Sequence, residues 1–149
     1  MRRFQFRLER FLDLRRWKER EWEIRLAQAT GKVVLLKNRI EEIGAEIGAS
    51  YDRTFVADRA IDVAAMAGRE RYVQRLAAER EQKGAELVVR TREREEVRGH
   101  YLEAARDRKV LDKLKERRAG EYYERQRDEE YKTIDDLNTA ARVRGQAQD

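Results

Sequence analysis

The chain has 149 residues with no proline, no cysteine and eight glycines, and 44% of its side chains are charged against 40% hydrophobic. This excludes a disulfide framework, a thiolate metal site and a cysteine nucleophile. It also leaves too little apolar surface for a rounded core, because ordinary domains carry only about 25% charged residues. A narrow apolar stripe along long helices buries such a composition most economically, so a coiled coil is expected. The 35 basic and 30 acidic residues give a net charge of +5, a modest excess for a nucleic-acid binder. Residues 1–11 are basic but lead into no apolar run of the secretory-signal kind. Apolar runs such as Val33-Val34-Leu35-Leu36 are far shorter than the ~20 residues that span a bilayer. A cytoplasmic protein without direct membrane insertion is expected.

A first helix is predicted over residues 3–53. Its stripe steps by three and four through Leu26, Ala29, Val33, Leu36, Ile40, Ile43 and Ile47, a period that implies a supercoiled partner helix. Backwards, the frame passes through Trp22, Leu12 and Leu8 but also meets Arg15 and Glu19, while Phe4 and Phe11 follow a neighbouring frame. Periodicity fails after Ser50, which places a turn at about 54–62, with Asp58 or Asp62 able to cap a new helix.

The second helix is predicted over 63–142, with a sparser stripe of Met66, Val73, Leu76, Leu87, Val97, Tyr101, Ala104, Leu111 and Tyr122. Arg80, Lys83, Arg90 and Arg94 occupy seam positions between them. Arg142, Arg144 and Gly145 read as a helix end, leaving 143–149 frayed. Seven further glycines fall inside the helices, each less favourable than alanine by about 0.8 to 1 kcal/mol. The predicted fold is all-α: one stalk over 1–149, two long helices forming an antiparallel coiled-coil hairpin, the second longer and overhanging.

With a turn near Asp58, Phe4 should face Leu114, Leu8 should face Leu111, and Trp17 should face Tyr101. The helix beyond Arg118 then has no intrachain partner and is an interaction element. Residues 1–25 carry nine basic and five acidic side chains and residues 90–118 carry eleven and seven, whereas 26–89 balance at ten each and 119–149 hold five and eight. Antiparallel pairing gathers the positive excess at the open end. Five of the twelve aromatics, Phe4, Phe6, Phe11, Trp17 and Trp22, lie there too. Aromatic residues and arginine are enriched at interface hot spots, so this is the expected binding end.

Catalytic constellations are missing. His100 is the only histidine, which leaves a zinc site of the HExxH type or a Ser-His-Asp triad without parts. Gly31-Lys32 lacks the GxxxxGK[ST] pattern of a phosphate loop, and carboxylate pairs such as Glu41-Glu42 suit a solvated helix face. No enzyme activity and no cofactor are expected. Arg90, Arg92, Arg94, Arg98, Arg106 and Arg108 superficially suggest a basic-region zipper. Interleaved Glu93, Glu95, Glu96 and Asp107 instead point to ion pairs along an exposed face, so no nucleic-acid partner is expected.

The stretch Met-Arg-Arg-Phe-Gln-Phe-Arg-Leu-Glu-Arg-Phe-Leu-Asp-Leu-Arg at residues 1–15 resembles the start of FliJ-family proteins of the bacterial flagellar export apparatus. The run Val110-Leu111-Asp112-Lys113-Leu114-Lys115-Glu116-Arg117-Arg118, then Glu121-Tyr122 and Asp135-Asp136-Leu137, is similar to that family's ending. Tyr72 and Leu76 after the turn fit the same pattern. Departures are Asp112 and Asp136, where the family more often has Glu, and Asn138-Thr139 after the aspartates.

The resemblance implies an antiparallel two-helix stalk like that of rotary ATPases, peripheral to the basal body. Its termini would enter the flagellar export ATPase hexamer and promote its assembly and activity. Other implied partners are the cytoplasmic domain of the export-gate protein and the export chaperones. The residues expected at the ATPase end are Arg3, Phe4, Phe6, Leu8, Phe11, Leu111, Leu114, Arg117, Arg118, Tyr122, Asp135 and Leu137; Tyr72 and Leu76 are expected at the gate. The alternatives are the homologous stalk of a virulence type III secretion system and a generic coiled-coil scaffold.

Overall fold

A computed structural model describes residues 3–52 and 62–146, with side chains through Arg144. It contains two helices, α1 (Glu9–Asp52, 44 residues) and α2 (Val63–Gln146, 84 residues), and no strand among the described residues. The fold is all-α, in keeping with the composition, and the second helix is the longer. Asp62 caps α2: its Oδ1 accepts from the amides of Ala64 at 3.0 Å and Ala65 at 3.2 Å. Such bonds satisfy amides that have no partner within the helix. Asp58 and most of the expected turn lie outside the described residues.

Two predicted boundaries need correction. α1 starts at Glu9 rather than at residue 3, because residues 3–8 form a non-helical lead. α2 does not stop at residue 142 but continues through Gly145 to Gln146. Glycine permits a left-handed stop without imposing one.

The chain divides into two compact units, Arg20–Glu103 and the pair of segments Met1–Glu19 and Ala104–Asp149. In the first, the partners Arg39 with Glu79, Glu46 with Tyr72, and Trp22 with His100 show that the helices run antiparallel. The α1 stripe supplies buried Val33, Leu36 and Ile43, and α2 supplies Val73 and Leu76. Leu26, Ala29, Ile40, Ile47, Leu87, Val97 and Tyr101 are half-buried along the same seam. The predicted heptad is the seam of this unit, whereas Met66 lies exposed.

Polar side chains at the seam edge are paired. Arg39 clamps Glu79 through Nε at 3.0 Å and Nη2 at 3.2 Å, and its Nη1 reaches Glu46 at 3.0 Å and Glu42 at 3.4 Å. Tyr72 donates to Glu46 at 3.2 Å. Trp22 stacks on His100 with ring centroids 4.5 Å apart, and the Arg25 guanidinium lies 4.7 Å from the Trp22 ring.

In the second unit, residues 9–19 of α1 run antiparallel to α2 from Ala104 onward. Leu12 is fully buried and Ala105 nearly so. Ion pairs flank them: Lys115 with Glu9 at 2.8 Å, Arg15 with Asp107 at 2.6 Å, Arg16 with Asp112 at 3.1 Å, and Arg108 with Glu19. The seam-position Arg15 and Glu19 of the sequence pattern are thus accommodated by charge pairing. Among the described residues beyond Gln126, α2 makes no hydrogen bond or ion pair to α1, and residues 127–146 continue as helix for about 30 Å at 1.5 Å per residue.

The expected pairing of Phe4 with Leu114 is also corrected. Phe4 packs on Tyr122, their ring centroids 5.7 Å apart. The neighbouring helical pairs Glu9 with Lys115 and Arg15 with Asp107 are already offset from the expected register in the same direction, so the pairing of the helices at this end, with the extended lead beyond it, carries Phe4 about two turns farther along α2.

Candidate partner-binding site

The site begins with the alternation Phe4-Gln5-Phe6-Arg7-Leu8. Apolar residues every second position suit an extended segment with one face against a surface. Burial follows that alternation: Phe4 and Leu8 are half-buried, Phe6 is 9% exposed, and Gln5 and Arg7 are exposed. The Glu9 amide donates to the Phe6 carbonyl at 3.1 Å and the Leu12 amide to the Leu8 carbonyl at 3.0 Å, closing the lead onto the first turn of α1.

Opposite the lead stand Arg117, Arg118, Glu121, Tyr122 and Arg125 of α2, enclosing a groove of about 410 Å³. Its floor is aromatic: Phe4 lies 6.5 Å from Phe6 and 5.7 Å from Tyr122, which meets Tyr123 edge-on at 5.5 Å. Its rim is cationic, with Arg7, Arg117, Arg118 and Arg125 against the lone carboxylate of Glu121. Arg117 approaches Glu121 at 3.7 Å, and Arg125 donates to the Glu121 carbonyl at 3.1 Å. Arg7 and Arg118 make no ion pair among the described residues. Guanidinium groups over an aromatic floor suit an apolar side chain flanked by carboxylates.

Of the residues expected at this end, the groove brings together Phe4, Phe6, Leu8, Arg117, Arg118 and Tyr122. Arg3 is exposed beside it in sequence. Leu111 and Leu114 are half-buried on α2. Phe11 is apart from the groove and 62% exposed, and Asp135 and Leu137 lie exposed on the last stretch of α2. In the other unit, Tyr72 is 40% exposed at the seam edge, while Leu76 is buried at 5% in the seam itself. Sequence reasoning missed Gln5, Arg7, Glu121 and Arg125 as lining residues. The alternation of residues 4–8 was the signal that could have found the lead.

No group of three or more His, Asp or Glu side chains among the described residues is arranged to hold a metal ion. No helix among them is long and apolar enough to cross a membrane. With two helices paired antiparallel and the second longer, the class is an all-α helical hairpin protein.

The family follows from comparison with known sequences. The family described as flagellar FliJ protein matches residues 4–147, so the chain belongs to the FliJ family. No curated protein and no solved structure matches the chain. Membership makes it a stalk-like protein of the flagellar type III export machinery, from a family of non-catalytic, structural or chaperone-like proteins.

Proposed function

We propose that the unit formed by residues 1–19 and 104–149 docks into the hexamer of the flagellar export ATPase and activates it. The observation that carries this reading is one groove uniting Phe4, Phe6 and Tyr122 with Arg7, Arg117, Arg118 and Arg125. Apolar side chains of the ring seat against the aromatic floor while acidic loops meet the guanidinium rim. Leu111 and Leu114 support the α2 side, and Arg3, Phe11, Asp135 and Leu137 contribute from outside the groove.

The export-gate cytoplasmic domain meets the other unit at Tyr72, whose ring is accessible while Leu76 supports the backbone beneath it. Through these contacts the protein links ATPase to gate, escorts export chaperones, and works at the cytoplasmic face of the basal body. The family description favours the flagellar system over a virulence one.

A pull-down of the purified chain against the export ATPase and the gate domain tests the reading. Phe4→Ala and Arg117→Glu should lose the ATPase and keep the gate, and Tyr72→Ala should do the reverse. Retention of both partners by all three variants would refute it.

A further inference from the structure

Helix α1 carries two apolar stripes, and the hairpin covers only one of them. Within the unit Arg20–Glu103, the stripe through Val33, Leu36 and Ile43 is buried in the seam with α2. The other runs through Ile24, Ala27, Gly31 and Val34, with Leu35 beside it, and steps by the same three and four residues. At about 100° per residue these positions fall within roughly a third of the circumference, on the side of α1 turned away from the seam. Ile24 is 60%, Val34 47% and Leu35 70% exposed. A groove of about 740 Å³ lies along this face, walled mainly by Leu26, Ala27, Val34, Leu35 and Tyr101, with Glu23 its single charged side chain. Scattered exposed apolar residues need no explanation, but a contiguous stripe at heptad spacing belongs to a helix that pairs with another.

The charges beside the stripe identify what it pairs with. Arg25 is bonded to Glu21 at 2.8 Å, and Arg39 to Glu79, Glu46 and Glu42. By contrast Glu23 and Lys37 are exposed and make no ion pair among the described residues. They flank the stripe on one side, two heptads apart, Glu23 just before Ile24 and Lys37 just after Val34 and Leu35. A two-fold axis that pairs two helices antiparallel keeps each residue on its own side and exchanges the two ends. A second copy laid antiparallel on the stripe therefore sets Glu23 against Lys37 of the second copy, and Lys37 against its Glu23. In the same register Ile24 faces Val34 of the second copy and Ala27 faces its Gly31. Large side chains then meet towards the ends and small ones at the centre, where the backbones come close. No like charges are opposed, since Gln28 faces Gln28 and Arg20 faces Asn38. Parallel pairing would instead set Glu23 beside Gln28, with no cation to meet it.

We infer that α1 pairs antiparallel with α1 of a second copy of this chain through Ile24, Ala27, Gly31 and Val34, with Glu23 and Lys37 fixing the register. The contact runs from residue 23 to residue 37, about 20 Å of helix. That is small among specific interfaces, so the dimer forms at concentrations on the order of tens of micromolar rather than nanomolar. It covers the stripe when the chain is concentrated and releases it on dilution. None of its residues belongs to the groove at residues 4–8 and 117–125, so it stands independently of the proposed ATPase contact.

Sedimentation equilibrium of the full-length chain from about 5 to about 500 µM tests this, and the unmodified chain should pass from monomer to dimer across that range. Ile24→Gln/Val34→Gln replaces two exposed β-branched residues with a better helix former. Its circular dichroism should match the unmodified chain while it stays monomeric. Glu23→Lys and Lys37→Glu should each weaken association about fivefold, because the two-fold axis turns each into two like-charge contacts. Glu23→Lys/Lys37→Glu together should restore it. A monomer throughout for the unmodified chain, which would leave the stripe to a different protein, would overturn the inference. Undiminished dimerisation of Ile24→Gln/Val34→Gln would overturn it too, by placing the contact on another face. Single reversals without effect, or a double reversal that fails to restore association, would overturn the antiparallel register.

Discussion

Arg39 bonds Glu79, Glu46 and Glu42 at once, from one position on the edge of the seam. The bonds from Arg39 are the main reason the Glu79 carboxyl is held below the ordinary carboxylate range, and partial burial opposes them. Glu79, in turn, does most to raise the Arg39 guanidinium above its usual value. A carboxyl depressed in the folded state contributes stability above the ordinary carboxylate range and loses it as pH falls through the depressed value. Both side chains are accessible to water, so the effect is small. Thermal melts of the chain and of Glu79→Gln should therefore differ at pH 7, the unmodified chain melting higher, and should converge below the carboxylate range. A gap that does not change with pH would contradict this. Arg108 behaves alike: bonds to Glu19 first, and to Asp112 at 2.5 Å second, raise its guanidinium.

Within the helices, stability concentrates at a few positions. Leu12 and Ile43 are fully buried and Val33 is 1% exposed. Leu12→Ala should lose about 2 to 3 kcal/mol in urea denaturation, the low end of the range for such truncations, because two helices can close part of the gap. Loss under ~0.5 kcal/mol would show that Leu12 does not anchor its unit. Gly99 is a converse case. A Cβ built there meets nothing within 4 Å, so Gly99→Ala should gain about 0.8 to 1 kcal/mol by the same measurement.

The seam from Leu26 to Ile47 was legible because a strict three-four spacing has only one helical interpretation. The lead was not, since Phe4, Phe6 and Leu8 were read in a helical frame although they alternate with period two. The pairing of Phe4 with Leu114 failed for a further reason: the helices at this end are offset from the register that a turn near Asp58 gives, as Glu9 with Lys115 shows. The groove was legible only by its residue types. Arg7, Glu121 and Arg125 join it through the register of the two helices at this end and the lead that follows it, and spacing in the sequence does not encode that register. Arg39 was invisible for a similar reason, because its partner Glu79 is 40 positions away.

For the molecule as a whole, a net charge of +5 understates the local asymmetry. Acids in residues 7–19 are spent on intrachain pairs, while cations of the groove remain available. Association with an acidic partner should accordingly weaken as salt rises from 50 to about 300 mM, over which the screening length shrinks from roughly 14 to 6 Å. Affinity that is flat over that range would mean that the cations do not face the partner.

Stimulation of the purified flagellar export ATPase by the unmodified chain and by Phe4→Ala/Arg117→Glu tests the central claim most directly. The account predicts that the unmodified chain accelerates ATP hydrolysis and that the double variant, with its helix content intact, needs at least about tenfold higher concentration for the same effect. Equal stimulation at equal concentration would contradict it.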